Sequence, residues 1–274
     1  MAVVSTDAWL RDYVQNKGIN KSENMELQRQ KLCSHLKPYF DHAFLDEIQN
    51  HLHEFGFFLP HPSDAERINR MKENNVWENT QRVFKELKEE WKGPDIPVFI
   101  FPSNIQNEML RNDFNGKSGL GYRDKVFIFI SDHTPKEEIR ALVTHEYNHV
   151  CRLEYLNLPE DEINLLDSIV LEGIAEIAVR DYLGEGYVSK WAKLYRFKDA
   201  LNWWMKWIRM NSNIKKTDDK HLHLLYGGGN IPKWMGYHTG YHLVLSYVRN
   251  NSTDLKTLLR LPSESIVQGS DFPF

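Results

Sequence analysis

Apolar residues recur at three- and four-residue steps along most of the chain, which is the spacing of amphipathic helices. Residues 7–91 are charged and follow this helical pattern, with an interruption at residues 60–64. Two short runs depart from it because they are almost continuously apolar: residues 98–101 and residues 125–130. Such runs are typical of buried strands. The pattern predicts an α+β fold that is mostly helical, with a small sheet.

A long helix is predicted directly after the second strand. Thr134 suits the N-cap, Pro135 suits the first helical position and Glu137 completes a capping box. The helical spacing continues to about residue 155 and stops before Pro159. On a wheel of about 100° per residue, one arc of this helix holds a mixed set of side chains: Leu142, His145, His149, Leu153 and Leu156. Two histidines are therefore predicted to face inward.

The rest of the chain predicts further helices and a loop. One helix is expected over residues 160–183 and ends near Gly184. A C-terminal helix is expected over residues 234–248, and the polar segment 211–220 is the best loop candidate. No internal repeat is visible.

These breaks divide the chain into three expected regions. Residues 1–92 form an N-terminal helical region, and residues 93–210 hold the sheet and the catalytic helices. Residues 211–274 form a C-terminal helical region that completes an active-site cleft. The sequence carries no sign of what the first region does.

Composition narrows the class of protein. The chain has 274 residues, and its 34 basic and 38 acidic residues leave it mildly negative, so nucleic acid is not an expected partner. Cys33 and Cys151 are too few for a disulfide scaffold. The first residues lack the pattern of a leader, and no stretch approaches about 18 apolar residues. We expect a cytoplasmic protein without membrane contact, of unknown oligomeric state.

The predicted long helix carries the motif H-E-x-x-H at residues 145–149. His145 and His149 are one turn apart and can bind one Zn²⁺, while Glu146 leans toward the same site. The motif alone arises by chance in roughly a few per cent of such chains. The alternative is a pair of core histidines with ordinary hydrogen-bond partners. The apolar face favours the metal site, because polar groups buried there need partners.

A catalytic zinc usually takes three protein ligands, so the two histidines need a third. The residues after His149 lack the further histidine of a metzincin, which excludes that class. A carboxylate on the following helix is the other solution, and Glu172 offers one within Leu-Glu-Gly-Ile-Ala-Glu. Gly173, beside it, would let the two helices approach closely.

The two motifs together resemble those of the gluzincin clan, whose third zinc ligand is a glutamate on the helix after the motif helix. More closely, several features are similar to the YjaZ-like family of predicted bacterial zinc-dependent proteases. These features are the two strands, the glycine-rich segment 116–121, the motif pair and the Gly-Tyr-x-x-Gly-Tyr segment at residues 236–241. The resemblance covers roughly residues 95–250 and implies a gluzincin-like zinc metalloprotease with one Zn²⁺ per chain.

The resemblance implies a role for each matching residue. His145, His149 and Glu172 are the implied zinc ligands. Glu146 is the implied general base, which accepts a proton from a water that zinc acidifies and passes it to the leaving amine.

Three further residues each have more than one possible role. Glu176, one turn beyond Glu172, could orient a ligand histidine or form an ordinary ion pair with Arg180. A tetrahedral intermediate also needs an electrophile besides the metal. We favour Tyr237, with His238 as the neighbouring alternative, against simple aromatic packing of the C-terminal helix.

The expected activity is hydrolysis of a peptide or protein substrate. The G-x-M-E-N motif of zinc aminopeptidases has no match in the sequence, which favours an endo- or oligopeptidase. In gluzincins an extended substrate adds to the edge strand before the motif helix, and we expect residues 125–130 to be that strand. The alternative is a non-catalytic zinc-binding regulatory or structural protein. Glu146 disfavours it, because a structural zinc needs no base.

Two other clusters have ordinary explanations. Residues 191–210 combine four tryptophans with several basic residues, which favours core or cleft-wall packing over a peptide-binding or membrane surface. His221 and His223 have no third ligand nearby and are expected on the surface.

Overall fold

The computed structural model describes residues 2–274 and consists mostly of helices, with one three-stranded sheet. In chain order the elements are α1 (Thr6–Asn16), α2 (Lys21–Gln28), α3 (Ser34–Leu36), α4 (Leu45–Glu54), α5 (Asp64–Glu73), α6 (Val76–Trp91), β1 (Val98–Pro102), α7 (Glu108–Asp113), β2 (Ser118–Gly121), β3 (Val126–Ile130), α8 (Lys136–Leu156), α9 (Leu165–Leu183), α10 (Phe197–Trp203), α11 (Asp219–Tyr226), α12 (Met235–Asn251), α13 (Leu255–Leu258) and α14 (Ser263–Gln268). The predicted α+β class is confirmed.

Short 3₁₀- and π-helical segments extend or join these helices. The π-helical segments are Arg29–Cys33 and Trp204–Ile208. The 3₁₀ segments are Lys37–Tyr39, Glu160–Glu162, Glu185–Tyr187, Lys190–Lys193 and Arg209–Asn211. Among residues 2–274, every helix is too short or too polar to span a bilayer.

The sheet has the strand order β1-β3-β2. β1 runs parallel to β3, with Val98 opposite Val126, and β2 runs antiparallel to β3, with Ser118 opposite Phe129. All residues of β1 and β3 are buried, as expected for strands covered on both faces. Both predicted strands are therefore present. However, β3 is the central strand and not the expected edge strand, because the glycine-containing segment forms the edge as β2.

Contacts divide the chain into two compact units, Met1–Glu146 and Tyr147–Phe274, so the boundary lies inside α8. In the first unit an aromatic core lies on the sheet: Phe99 stacks on Phe127, with ring centroids 5.0 Å apart. This division does not test the three expected regions, which stay a prediction.

Helix α9 is the centre of the second unit, and most of its residues are buried. Gly173 and Gly240 bring α9 and α12 together backbone against backbone. A Cβ at Gly240 would lie under 3.0 Å from the carbonyl oxygen of Ile169, and a Cβ at Gly173 would also lie under 3.0 Å from the carbonyl oxygen of Gly240. The missing side chain of Gly173 therefore leaves room for α12, although the sequence suggested the motif helix as its partner. Gly236 likewise faces α11, because a Cβ at this position would lie 2.7 Å from the Cα of Leu225.

One buried side chain ties the C-terminal segment to both motif-bearing helices. The guanidinium of Arg152 on α8 donates to the carbonyl oxygens of Leu258 and Leu261 at 3.2 and 3.1 Å, and to Oγ of Ser263 at 3.1 Å. Ser263 Oγ in turn donates to Asp167 on α9 at 2.6 Å. The segment that contains α13 and α14 thus links α8 to the start of α9.

Candidate metal centre

His145, His149 and Glu172 come together in the structure, although the last is 23 residues from its nearest partner in sequence. One ligand atom from each of the three lies within 4.8 Å of the others. Nε2 of His149 is 3.7 Å from Oε1 of Glu172. The site therefore has the two imidazoles and one carboxylate expected of a His-His-Glu centre.

Two helices of well-defined geometry position these ligands. His145 and His149 lie one turn apart on α8, which has almost the predicted bounds. α9 begins later than predicted, because Asn164 is its N-cap. The Asn164 side chain accepts a hydrogen bond from the backbone N–H of Asp167, and the Asp167 carboxylate accepts one from the backbone N–H of Asn164. Glu172 follows two turns into this helix.

The donor set fits a zinc ion. Ligand atoms of a tetrahedral zinc lie about 3.3 Å apart for bonds of about 2.0–2.1 Å, and the His149–Glu172 pair is only slightly wider. That separation is too long for a hydrogen bond. The side chains of His149 and Glu172 are only 8% and 14% exposed, and a covered carboxylate needs a cation or donor close by.

Glu146 is buried beside β2. A Cβ placed on Gly119 would lie under 3.0 Å from Cγ, Cδ and Oε1 of Glu146. Gly119 therefore leaves the space that this carboxylate occupies. Sequence reasoning did not connect this glycine with the site, although the alternation of Gly119 and Gly121 along a strand was a signal of close approach.

Tyr237 lies in an aromatic cluster on α12. Its hydroxyl donates to that of Tyr226 at 3.2 Å. Its ring meets those of Trp191 and Trp234 edge-on, with centroids 5.0 and 5.3 Å apart. The aromatic packing considered from the sequence is therefore present, and the catalytic role of Tyr237 stays a prediction.

His238 is fully buried, one residue further along α12. Its Nδ1 is 3.3 Å from the carbonyl oxygen of Trp191, and its ring packs against Tyr195 and Trp203. Burial lowers the pKa of this imidazole, which favours the neutral ring. Its catalytic role stays a prediction.

Glu176 holds the segment that follows α9. Its two carboxylate oxygens accept hydrogen bonds from the backbone N–H and the hydroxyl of Ser189, at 2.7 and 2.8 Å. The expected orienting role toward a ligand histidine stays a prediction, and Arg180 forms an ion pair with Asp181 at 2.8 Å. Nothing in the sequence around Ser189 marks it as a partner of Glu176, because the contact depends on how the chain turns after Gly184.

Two other predicted placements have mixed outcomes. His221 is buried, contrary to expectation: its ring nitrogens meet the carbonyl oxygen of Ile214 at 3.1 Å and Oγ of Ser168 at 3.0 Å. The polar segment 211–220 folds back and supplies one of these partners, whereas His223 is exposed as expected. Trp204 is buried and its Nε1 donates to the carbonyl oxygen of Pro273, in keeping with core packing.

Comparisons with known proteins identify the family of this chain. Residues 76–268 match the family described as "Predicted Zn-dependent protease (DUF2268)". The chain is 31% identical to "Uncharacterized protein YjaZ" of Bacillus subtilis (strain 168) over 270 residues, which are 97% of this chain and 98% of that protein. It is 21% identical to "Uncharacterized protein YjfC" of the same organism over 138 residues, 47% and 46% of the two chains. No solved structure matches the chain. The chain thus belongs to the family of predicted Zn-dependent proteases.

Proposed function

We propose that the protein is a zinc-dependent metallopeptidase that hydrolyses peptide bonds within peptides or proteins. The observation that carries this proposal is the meeting of His145, His149 and Glu172, with Glu146 on the same helix as the histidines. When bound, the zinc ion would acidify a water molecule and polarise the scissile carbonyl group.

Glu146 is the proposed general base. It is 6% exposed, so its carboxylate is largely shielded from bulk water. It would take the proton from the attacking water and deliver it to the leaving amine. The close fit against Gly119 limits the positions that its carboxylate can adopt, which supports a role that demands fixed geometry.

The edge strand β2 is the proposed place for an extended substrate. It is the outer strand of the described sheet, so one row of its backbone groups is open to an added strand. The Glu146 carboxylate lies against Gly119 of this strand, so a peptide added along β2 would pass close to the proposed base. A substrate bound in this way could present an internal peptide bond as readily as a terminal one. This arrangement supports endo- or oligopeptidase activity.

Tyr237 is the proposed stabiliser of the oxyanion, with His238 as the alternative. Tyr237 is half-buried and its phenol is a hydrogen-bond donor, as such a role requires. Its ring is braced by Trp191 and Trp234, so little reorganisation would accompany the reaction.

The proposal is tested by metal content and cleavage together. Zinc per chain and cleavage of a peptide library are measured for the wild type, Glu146→Gln and Glu172→Ala. Glu146→Gln should keep zinc and lose at least a hundredfold in kcat, in line with general-base catalysis worth about 10²–10⁴. Glu172→Ala should lose both zinc and cleavage.

The matched control is Glu154→Gln, an exposed glutamate on the same helix, which should change neither property. Stoichiometric zinc without cleavage of any substrate would favour a non-catalytic zinc-binding protein instead. A wild-type protein that binds no divalent metal would contradict both functions.

A further inference from the structure

The two faces of the edge strand β2 differ in what lies against them. Residues directly opposite each other in an antiparallel pair point to the same face of the sheet. Gly119 lies opposite Ile128, on the face where the Glu146 carboxylate fits. Leu120 lies opposite Phe127 and therefore points to the other face. The side chains of a peptide added along β2 would alternate in the same way, so every second one would lie on the face of Leu120.

The last turn of α4 follows β2 on this second face. Ser118, whose side chain points to the same face as that of Leu120, donates from Oγ to the carbonyl oxygen of Phe55 at 2.6 Å. Just beyond the other end of β2, a hydrogen bond joins Nε2 of His51 and the hydroxyl of Tyr122. The rings of His51 and Phe55, one turn apart, have centroids 5.0 Å apart. The end of α4 thus contacts the chain at both ends of the edge strand.

Four half-buried rings form a cluster beside β2, which we name the edge cluster: Phe40, His51, Phe55 and Tyr122. The centroid of Phe40 is 6.1 Å from that of Tyr122 and 6.3 Å from that of His51. Phe40 and Tyr122 also lie 5.7 and 6.2 Å from Phe127 of the central strand. The edge cluster therefore rests on the face of the sheet that points away from the proposed base, and part of its ring surface is open to solvent.

The chemistry of the edge cluster suits a large apolar side chain. The hydrogen bond between His51 and Tyr122 satisfies a polar atom of each, so an apolar group can cover this contact at little cost. Nζ of Lys125 lies 4.3 Å from the ring centroid of Tyr122 and 5.1 Å from that of Phe40. Asp124 pairs with this ammonium group at 2.9 Å, so the two charges balance. An aromatic side chain would gain edge or offset contacts with the rings in addition to burial.

We infer that the edge cluster is a specificity site, which accepts a large apolar or aromatic side chain of a substrate strand bound along β2. The inference rests on the proposed function, because the same strand would pass the Glu146 carboxylate on its other face. The selected side chain would therefore belong to a residue next to one that faces the base, and its distance from the scissile bond would be constant.

The specificity is tested with short serine- and alanine-based peptides that carry a single phenylalanine, moved along the peptide from one member of the series to the next. Mass spectrometry of the products should show cleavage at a constant distance from the phenylalanine. The wild type should prefer the best member to its all-alanine counterpart at least about tenfold in kcat/KM. Phe40→Ala should lose most of this preference, with zinc content and the midpoint of urea denaturation measured to show that it is folded.

The matched control is Phe44→Ala, which replaces a phenylalanine that is near Phe40 in sequence and 67% exposed. It should keep the wild-type preference. A wild type that cleaves all members of the series equally well, or a preference that survives Phe40→Ala, would overturn the inference.

Binding to an inactive protein separates this inference from the proposed function. Zinc-loaded Glu146→Gln, with and without Phe40→Ala, is titrated with the fluorescently labelled peptides and followed by anisotropy. The phenylalanine peptide should bind more tightly than the all-alanine peptide only when Phe40 is present. If the wild type cleaves no peptide but this binding preference is found, the proposed function fails and the edge cluster stands as a peptide-binding site. Equal binding of the two peptides, or no binding of either, would overturn the inference whatever the activity.

Discussion

A single missing side chain shapes the surroundings of the candidate base. Gly119 stands on the edge strand where any Cβ would occupy the volume of the Glu146 carboxylate. The glycine is needed here for close approach rather than for an unusual backbone conformation. Residues that contact the reacting groups and residues that merely make room for them are thus both part of this site.

Gly119→Ala is expected to lower kcat/KM at least tenfold while zinc content stays at the wild-type level. The added methyl group would displace the carboxylate of Glu146, and small displacements of a catalytic group cost orders of magnitude in rate. Steady-state kinetics and zinc analysis of the purified variant check this. Gly186→Ala is the control, because a Cβ at Gly186 meets nothing within 4 Å. Equal loss in both variants would contradict the steric explanation.

The His238–His242 pair should make the fold sensitive to acid. The pKa of His242 is lowered by burial, by His238 and by Arg249, from the ordinary value of 6.5 to about 4. Between these two pH values the unfolded chain binds a proton that the folded chain does not bind. The free energy of unfolding therefore falls as the pH falls from 6.5 toward 4.

Urea denaturation at pH 7, 6, 5 and 4.5 measures this dependence. His242→Gln does not titrate and should show a shallower fall than the wild type over the same range. Zinc release affects both proteins alike, so the difference between their slopes isolates His242. Identical slopes would show that His242 is protonated as easily in the folded protein as in the unfolded chain.

At the scale of elements, the segment after α9 connects Glu176 to the aromatic cluster around Tyr237. Ser189 donates two hydrogen bonds to the Glu176 carboxylate, and two residues later Trp191 packs its ring against Tyr237. Glu176 is 1% exposed, so these hydrogen bonds are shielded from solvent. We expect Glu176 to position Tyr237 through this segment.

Ser189→Ala should destabilise the protein by about 1–3 kcal/mol, because it removes one of the two bonds to a buried carboxylate. If Tyr237 acts in catalysis, kcat should fall more than KM rises, and zinc content should not change. Urea denaturation and steady-state kinetics measure the two effects. Ser5→Ala replaces an exposed serine that forms no cap hydrogen bond and should be neutral. A stability loss with normal kcat would mean that the segment has only a structural role.

At the scale of the whole molecule, a bound metal would stabilise the fold because it joins α8 to α9. A ligand that binds only the folded state adds about 4 kcal/mol when its free concentration is 1,000 times its dissociation constant. His145 and His149 come from α8 and Glu172 from α9, and an unfolded chain would not hold the three together.

Removal of zinc with a chelator should therefore lower the Tm of the wild type. Adding zinc back should restore it. Glu172→Ala should show a low Tm that zinc no longer raises. Differential scanning calorimetry with and without chelator measures both. A Tm that does not respond to zinc in the wild type would show that the three residues do not form a stable metal site in solution.

Local patterns were sufficient for the elements that carry the candidate site. The capping signals and helical spacing before the motif predict α8 almost to its bounds, and the short apolar runs predict β1 and β3. Glu172 was found as a candidate because a third ligand was required and the next helix offered a carboxylate on a largely apolar side. The inferences about helices and strands succeed because the periodicity of both depends on short-range spacing.

The tertiary structure decided which elements meet. It placed the glycine segment at the edge of the sheet, turned Gly173 toward α12, buried His221 and paired Glu176 with Ser189. Each of these contacts joins residues distant in sequence or beyond a turn, and its energy depends on packing that no local pattern records. The sequence by itself thus determined the main helices and strands and the candidate ligand set, while the fold decided what surrounds that set.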